Sequence, residues 1–282
     1  MLAVTLPSHG ARALARAASG VAATPESRLV EAAAVRFLRE VAPGAGGAGD
    51  AGGAGGAGGA AIEWSTSIPR GVGMGGSSAI VIATLRALAQ LHGVEVGRSE
   101  LAELALAVET EELGIAAGLQ DRVAQSYGGL TFMDFGAVTA AERYEKLDPG
   151  LLPPLVIGWR TDSGGHSGAV HSGLRERFER GEGLVSECMA ELGGLARRAR
   201  DAVLAGDTSE LIRCVAQSFD ARQRMLELDP RHVEMVCCAR ASGAGANYAG
   251  SGGAIVAVCP DEPARERVSR ELRRLGCGTT SV

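Results

Sequence analysis

Lysine is almost missing from this sequence: Lys146 is the only one, and every other Lys/Arg position is arginine, a bias of the source's composition. Acids outnumber bases 33 to 28 for a net charge of −5, and no basic run occurs. That excludes a nucleic-acid binder working by phosphate neutralisation, though not an anionic ligand held locally. No stretch approaches the roughly 18 uncharged apolar residues of a membrane span, so no membrane partner is expected. The N-terminus lacks the charged and then apolar regions of a secretory signal. Aromatic residues are only 4% of the chain, yet hydrophobic residues reach 46% and charged ones 22%, as in a globular protein with a real core. The six cysteines (188, 214, 237, 238, 259 and 277) include no CxxC pair and no His partner at zinc spacing. A reduced, cytoplasmic chain with buried thiols is expected.

What is abundant is glycine, with 41 residues. Residues 43–61 are Gly and Ala apart from Pro43 and Asp50 and read as a flexible surface insertion. Before it, Thr24-Pro25-Glu26 looks like a helix start, and Val30, Phe37, Leu38 and Val41 share one helical face. After it, residues 62–68 read as a strand and 79–91 as an apolar helix ending at Gly93, with Ser99 capping the next helix. Residues 128–135 and 155–159 read as strands, and 184–204, 209–228 and 231–241 as helices. A Gly-rich turn at 250–253 leads into a strand at 254–259, then a charged helix at 263–275 and a short terminal strand. This is mixed α+β with no internal repeat.

The sharpest local feature is Pro69-Arg70-Gly71-Val72-Gly73-Met74-Gly75-Gly76-Ser77-Ser78-Ala79, between a strand and a helix. Glycines admit a ligand close to the backbone, and a helix start offers unpaired N–H groups and a positive dipole end, so the segment suits a phosphate. Gly71, Gly73 and Gly76 match GxGxxG, but no second strand with a ribose-binding acid follows, which excludes the dinucleotide-binding fold. Ser77 stands where a P-loop needs lysine, which excludes that motif too. The bland alternative is a tight turn packed on a neighbour.

A second cluster is Glu109-Thr110-Glu111-Glu112-Leu113-Gly114, followed by Gly118-Leu119-Gln120-Asp121-Arg122. An acid near a helix end is ordinarily solvated surface. Asp121 is different, because it precedes the apolar Val123-Ala124 and a carboxylate there needs a partner or a task. A kinase needs one acid to hold Mg²⁺ and another to accept the substrate hydroxyl's proton.

The segment from Pro69 to Ala79 resembles the second motif of the GHMP small-molecule kinases, and Ala246-Asn247-Tyr248-Ala249-Gly250-Ser251-Gly252-Gly253-Ala254 resembles the third. Glu109 and Asp121 have the spacing of the magnesium-binding glutamate and catalytic aspartate of the galactokinase branch. Gly118-Leu119-Gln120-Asp121-Arg122, Tyr127-Gly128-Gly129-Leu130 and Glu234-Met235-Val236 most resemble the glucuronokinase group. The resemblance runs from about Arg28 to the C-terminus, with the Gly/Ala stretch as an insertion. It implies an α+β, two-lobed GHMP kinase fold with a ribosomal protein S5-like N-terminal lobe (1–150) and a ferredoxin-like C-terminal lobe (151–282). It also implies an ATP- and Mg²⁺-dependent kinase acting on a sugar, D-glucuronate at its anomeric hydroxyl being the first choice. The alternatives are a heptose or neutral-hexose kinase, or a silent nucleotide- or sugar-binding homologue.

On this resemblance Gly71, Gly73, Gly75, Gly76, Ser77 and Ser78 would wrap the ATP phosphates, steadied by Gly250, Ser251, Gly252 and Gly253. Ser78 and Glu109 would bind Mg²⁺, and Asp121 would be the catalytic base. Asp162, Ser163 and His171 would lie near the substrate, and Arg70 or Arg122 would fork a uronate carboxylate. One departure stands out: nothing matches the family's first motif, of Asn-Pro-Ser-Asp-Gly type, and residues 2–6 resemble the strand that follows it. With every downstream motif intact, Met1 is read as a misplaced start, and otherwise as a depleted substrate site.

Overall fold

The computed structural model describes residues 2–4, 11–18, 27–43, 59–137, 139–161 and 172–282. The expected helix start at Thr24-Pro25-Glu26, most of the Gly/Ala insertion and the stretch 162–171 lie outside them.

Helix periodicity in the N-terminal part becomes packing. In α1 (Arg28–Glu40) Val30 and Phe37 are buried, with Leu38 and Val41 packed beside them. Phe37, Leu38 and Val41 share a cluster with Val81, Ile82, Leu85 and Leu88 of α2 (Gly76–His92) and Leu101 and Leu104 of α3 (Arg98–Ala107). Each such side chain contributes about 1.5–3 kcal/mol by leaving water. Helix α2 ends at Gly93, whose φ of +65° is the left-handed stop expected there. The start of α3 differs from expectation. Gly97 is its cap, Glu100 accepts the Gly97 N–H (3.3 Å), and Ser99 lies inside the first turn.

Helix α4 (Leu119–Tyr127) leads into a three-stranded antiparallel sheet of order β1 (Leu2–Val4), β4 (Leu130–Met133), β5 (Tyr144–Leu147), with α5 (Ala140–Arg143) before its last strand. Strand β1 pairs Ala3 with Thr131 and lies at an edge of this sheet. A separate ribbon pairs β2 (Ala11–Ala18) with β3 (Gly59–Thr66) in antiparallel register from Ala11↔Thr66 to Ala18↔Gly59. Residues 11–18 carried no strand expectation, and β3 runs from Gly59 to Thr66 rather than from Ile62 to Ile68.

The C-terminal part runs β6 (Leu155–Arg160), α6 (Ser172–Glu179), α7 (Gly183–Ala205), α8 (Thr208–Met225), α9 (Pro230–Ala241), β7 (Gly245–Tyr248), β8 (Ala254–Val258), α10 (Glu262–Arg274) and β9 (Cys277–Ser281). Its antiparallel sheet has the order β9-β6-β8-β7, the ferredoxin-like arrangement, over a core that includes Val156, Phe219, Met235, Ile255, Val268 and Leu272. A third cluster, with Leu130, Leu147, Leu155, Leu195, Val203, Leu211 and Val258, welds the first sheet to α7, α8 and the second sheet.

Candidate active site

Strand β3 feeds the first glycine loop, which turns on Gly71, Gly73 and Gly75 at φ of +71°, +71° and +65°. A left-handed backbone of this kind is costly for any residue with a Cβ. The loop ends at the mouth of α2. The Ala79 N–H donates to the Gly75 carbonyl (3.0 Å) as the helix begins, so the N–H groups of Gly76, Ser77 and Ser78 precede the helical ladder and face its open end. Arg70, just ahead of the turn, is exposed.

The second glycine loop, between β7 and β8, packs on the first backbone to backbone. A Cβ at Gly250 would lie 2.3 Å from the Gly73 carbonyl oxygen, and one at Gly253 2.9 Å from the Val72 Cα. Conversely, a Cβ at Gly73 would fall 2.7 Å from the Gly252 oxygen and 3.0 Å from Ser251 Oγ. No side chain fits in this seam. Three side chains brace it, of which Tyr248 belongs to the third-motif segment and Arg222 and His232 carried no sequence expectation. Arg222 Nη1 of α8 donates to the Gly250 carbonyl (2.7 Å), the Gly253 N–H donates to His232 Nδ1 of α9 (3.3 Å), and Tyr248 packs edge-on to both His232 and Phe219. Tyr248 ends β7 beside the loop in sequence, whereas only the fold brings Arg222 and His232 to it.

On the other side of the first loop stands α4. The Asp121 side chain lies 3.5 Å from where a Cβ at Gly75 would be, so the base candidate and the loop adjoin. Asp121 is the third residue of α4, partly covered, and burial raises its carboxyl above the usual aspartate value. Next to it Arg122 is 4% exposed and ion-paired with the fully buried Glu109. It also donates to the Gly118 carbonyl (2.8 Å) and comes within 3.8 Å of Asp121. Burial lowers the Arg122 guanidinium to about 10. Arg122, one of the two arginines expected to fork a uronate carboxylate, thus turns inward toward Glu109, with its Nε buried and without a hydrogen-bond partner.

Glu109 sits on a π-helical turn, Val108–Glu112, that continues α3 and closes where the Ile115 N–H reaches the Glu109 carbonyl (2.8 Å). Arg36 of α1 clamps this turn, with Nη1 on Glu111 (2.6 Å) and Glu112 (3.2 Å), and Arg39 also binds Glu112. For Mg²⁺ the donor chemistry fits. Ser78 Oγ is buried without a hydrogen-bond partner, as is Glu109 Oε1, and both are hard oxygen donors. Among the described residues no three His, Cys, Asp or Glu cluster to hold a metal, so a cation would need phosphate oxygens to complete its shell. The substrate expectations Asp162, Ser163 and His171 lie outside the described residues. A groove of about 660 Å³ lies elsewhere, between α7 and α8, lined by residues such as Glu191 and Arg224 that pair with each other.

Two interlocked glycine loops beside a buried acid–arginine pair define a class, and the comparisons agree on it. The family model "GHMP kinases N terminal domain" matches residues 28–129, and "GHMP kinases C terminal" matches 199–276. The chain belongs to the GHMP kinases. Within them it is 39% identical to glucuronokinase 1 of Arabidopsis thaliana over 226 residues, covering 77% of this chain and 62% of that protein. It is 27% identical to the mevalonate kinase of Pyrococcus furiosus over 229 residues, 78% of this chain and 65% of that one. The chain thus spans about three-fifths of the length of these curated relatives. The crystal structure of L. major mevalonate kinase in complex with R-mevalonate superposes with a TM-score of 0.70 at 17% identity, over 96% of this chain and 86% of that one, a likeness of fold. Among the described residues no helix is long and apolar enough to cross a membrane.

Proposed function

We propose that this protein is an ATP- and Mg²⁺-dependent kinase that phosphorylates a sugar acid, D-glucuronate, at its anomeric hydroxyl. The carrying observation is the placement of Asp121 against Gly75 of a glycine loop locked to its C-terminal counterpart, in a chain 39% identical to a glucuronokinase. Backbone N–H groups of the loop and of Gly76, Ser77 and Ser78 receive the phosphates, as helix mouths do for anions. Ser78 Oγ and Glu109 Oε1 would hold Mg²⁺, which when bound would neutralise charge on the transferring group. Asp121 accepts the proton of the anomeric hydroxyl, its raised pKa making it a better base than a free aspartate. On this reading residues 1–150 form the ATP-binding lobe and 151–282 the second lobe. A cytoplasmic location accords with six cysteines that form no disulfide, although Cys237 is exposed and Cys238 half-buried rather than buried as expected.

An ADP-release assay over uronates and neutral sugars tests the reading. Turnover confined to glucuronate supports it. Turnover of a heptose or hexose but not glucuronate replaces the substrate, and nucleotide binding without any turnover removes the activity.

A further inference from the structure

A sugar acid brings a carboxylate into the site, and the cations near the glycine loops differ in their freedom to meet it. Arg122 is committed to Glu109, and Arg70 stands exposed ahead of the first loop. Arg222 is neither. It is half-buried on α8, stacked 5.5 Å from the centre of the Tyr248 ring. Its hydrogen bonding among the described residues is the single one to the Gly250 carbonyl, although a guanidinium carries five N–H donors. No carboxylate of the described residues lies within ion-pairing distance of it, and burial lowers its pKa, opposed by the Tyr248 phenol beside it. Tyr248 beneath it is 5% exposed, and its hydroxyl has no hydrogen-bond partner. A buried hydroxyl without an acceptor and a guanidinium with donors to spare therefore lie at one spot, directly behind the loop that touches Gly73.

A desolvated guanidinium without a counter-charge is costly to hold unless an anion arrives to compensate it. We infer that Arg222 is a specificity-determining residue whose planar N–H edge receives the carboxylate of the sugar acid. Carboxylate is favoured over phosphate because the loop amides, the mouth of α2 and Mg²⁺ already serve the phosphates, and because two parallel N–H groups match two carboxylate oxygens. The inference rests on the proposed function, and it explains how the site would refuse neutral hexoses: with no anion bound, Arg222 stays uncompensated.

The test compares wild type, Arg222→Lys and Arg222→Gln for turnover of D-glucuronate, with KM measured separately for sugar and ATP. Calorimetric titration with D-glucuronate and with D-glucose adds a readout independent of turnover. Expected is a rise of about 30-fold in the glucuronate KM for Arg222→Gln, with a smaller rise for Arg222→Lys; the ATP KM should rise by much less than the glucuronate KM, reflecting only the lost hold on the Gly250 carbonyl. The titrated affinity for glucuronate should fall in parallel. An unchanged glucuronate KM in either folded variant overturns the inference and leaves the proposed function standing. A rise confined to the ATP KM also overturns it and makes Arg222 a phosphate or loop anchor. Should Arg222→Gln fail to fold, Arg222→Lys decides alone. A wild-type protein that phosphorylates only neutral sugars defeats the proposed function itself, before any variant is made.

Discussion

The two flanks of the first glycine loop are built by opposite means. Toward the C-terminal half the loop is held by shape: Gly73 and Gly250 meet with no room for a Cβ, and the fit is one of backbone against backbone. Toward α3 and α4 it is flanked by charge: Glu109, Asp121 and Arg122 lie together under partial or complete burial, and Arg36 pins the turn behind them. The shape flank tolerates almost no change of residue. The charge flank keeps its outline on isosteric substitution yet loses its chemistry. A phosphate cradle needs the first kind of construction and a proton acceptor the second.

The largest expected effect breaks the charge flank without touching the shape. Asp121→Asn should cut kcat by about 10²–10⁴-fold, because the amide cannot take the proton, while ATP affinity measured by titration stays near wild type. The same variant should unfold at a higher temperature at neutral pH. The folded-state pKa of Asp121 is raised, so its favourable contribution to stability is present only below the unfolded pKa and is lost as pH rises. At pH 7 the ionised side chain is therefore a net burden that the amide relieves. Near-parental activity in Asp121→Asn would remove Asp121 from the role of base. The linked pH profile should show kcat/KM falling on the acid side through a pKa above the 3.8 of an ordinary aspartate.

Stability should respond most to the neighbouring pair. Arg122→Met leaves the fully buried Glu109 uncompensated and should cost about 3–5 kcal/mol in denaturant unfolding. Adding Glu109→Gln to it should restore part of that loss while raising the magnesium requirement, and simple additivity of the two changes would show that the pair is not coupled. On the shape flank, Gly250→Ala should cost about 1–3 kcal/mol and raise the ATP KM, since its methyl group meets the Gly73 carbonyl. Gly93→Ala is the control. Its φ is also positive at +65° but nothing lies within 4 Å, so it should lose only about 1 kcal/mol and leave the ATP KM alone.

The same contrast explains what the sequence disclosed. Glycine at positions 73, 75 and 250 is forced by positive φ or by contact, so the shape flank is written in residue identity and its motifs are visible locally. Helices α1, α2, α7 and α8 were legible because their buried residues recur with the helical period. The partnership of Glu109 and Arg122 was not, because the two stand on different helical segments and no spacing rule joins them. Arg222 carries no signal for a similar reason: in sequence it is one of three arginines on α8, together with Arg213 and Arg224, and only the fold carries it to Gly250. Strand β2 was hidden by its composition, an Ala-rich Ala11–Ala18 segment with weak strand preference whose partner β3 follows the Gly/Ala insertion.

That insertion supplies the smallest expected effect and the sharpest check on the comparison, since by composition it belongs to neither flank. Glycine and alanine with a single Asp50 provide almost no side-chain surface to bury, so the segment should contribute loop length and little else. Gly59 and Ala60 are excluded from any deletion, because they pair with Ala18 and Ala17 in the β2–β3 ribbon that leads directly into the first glycine loop. Halving the stretch 44–58 should leave kcat/KM within about twofold and raise stability by about 0.6 kcal/mol, the entropy saved by closing a loop of half the length. Removing residues 59 and 60 as well should shorten β3, disturb the approach to Gly71 and raise the ATP KM. Equal losses from the two deletions would show that the insertion acts on the site itself, and that the first loop is held by more than the seam with Gly250 and the carboxylates of α3 and α4.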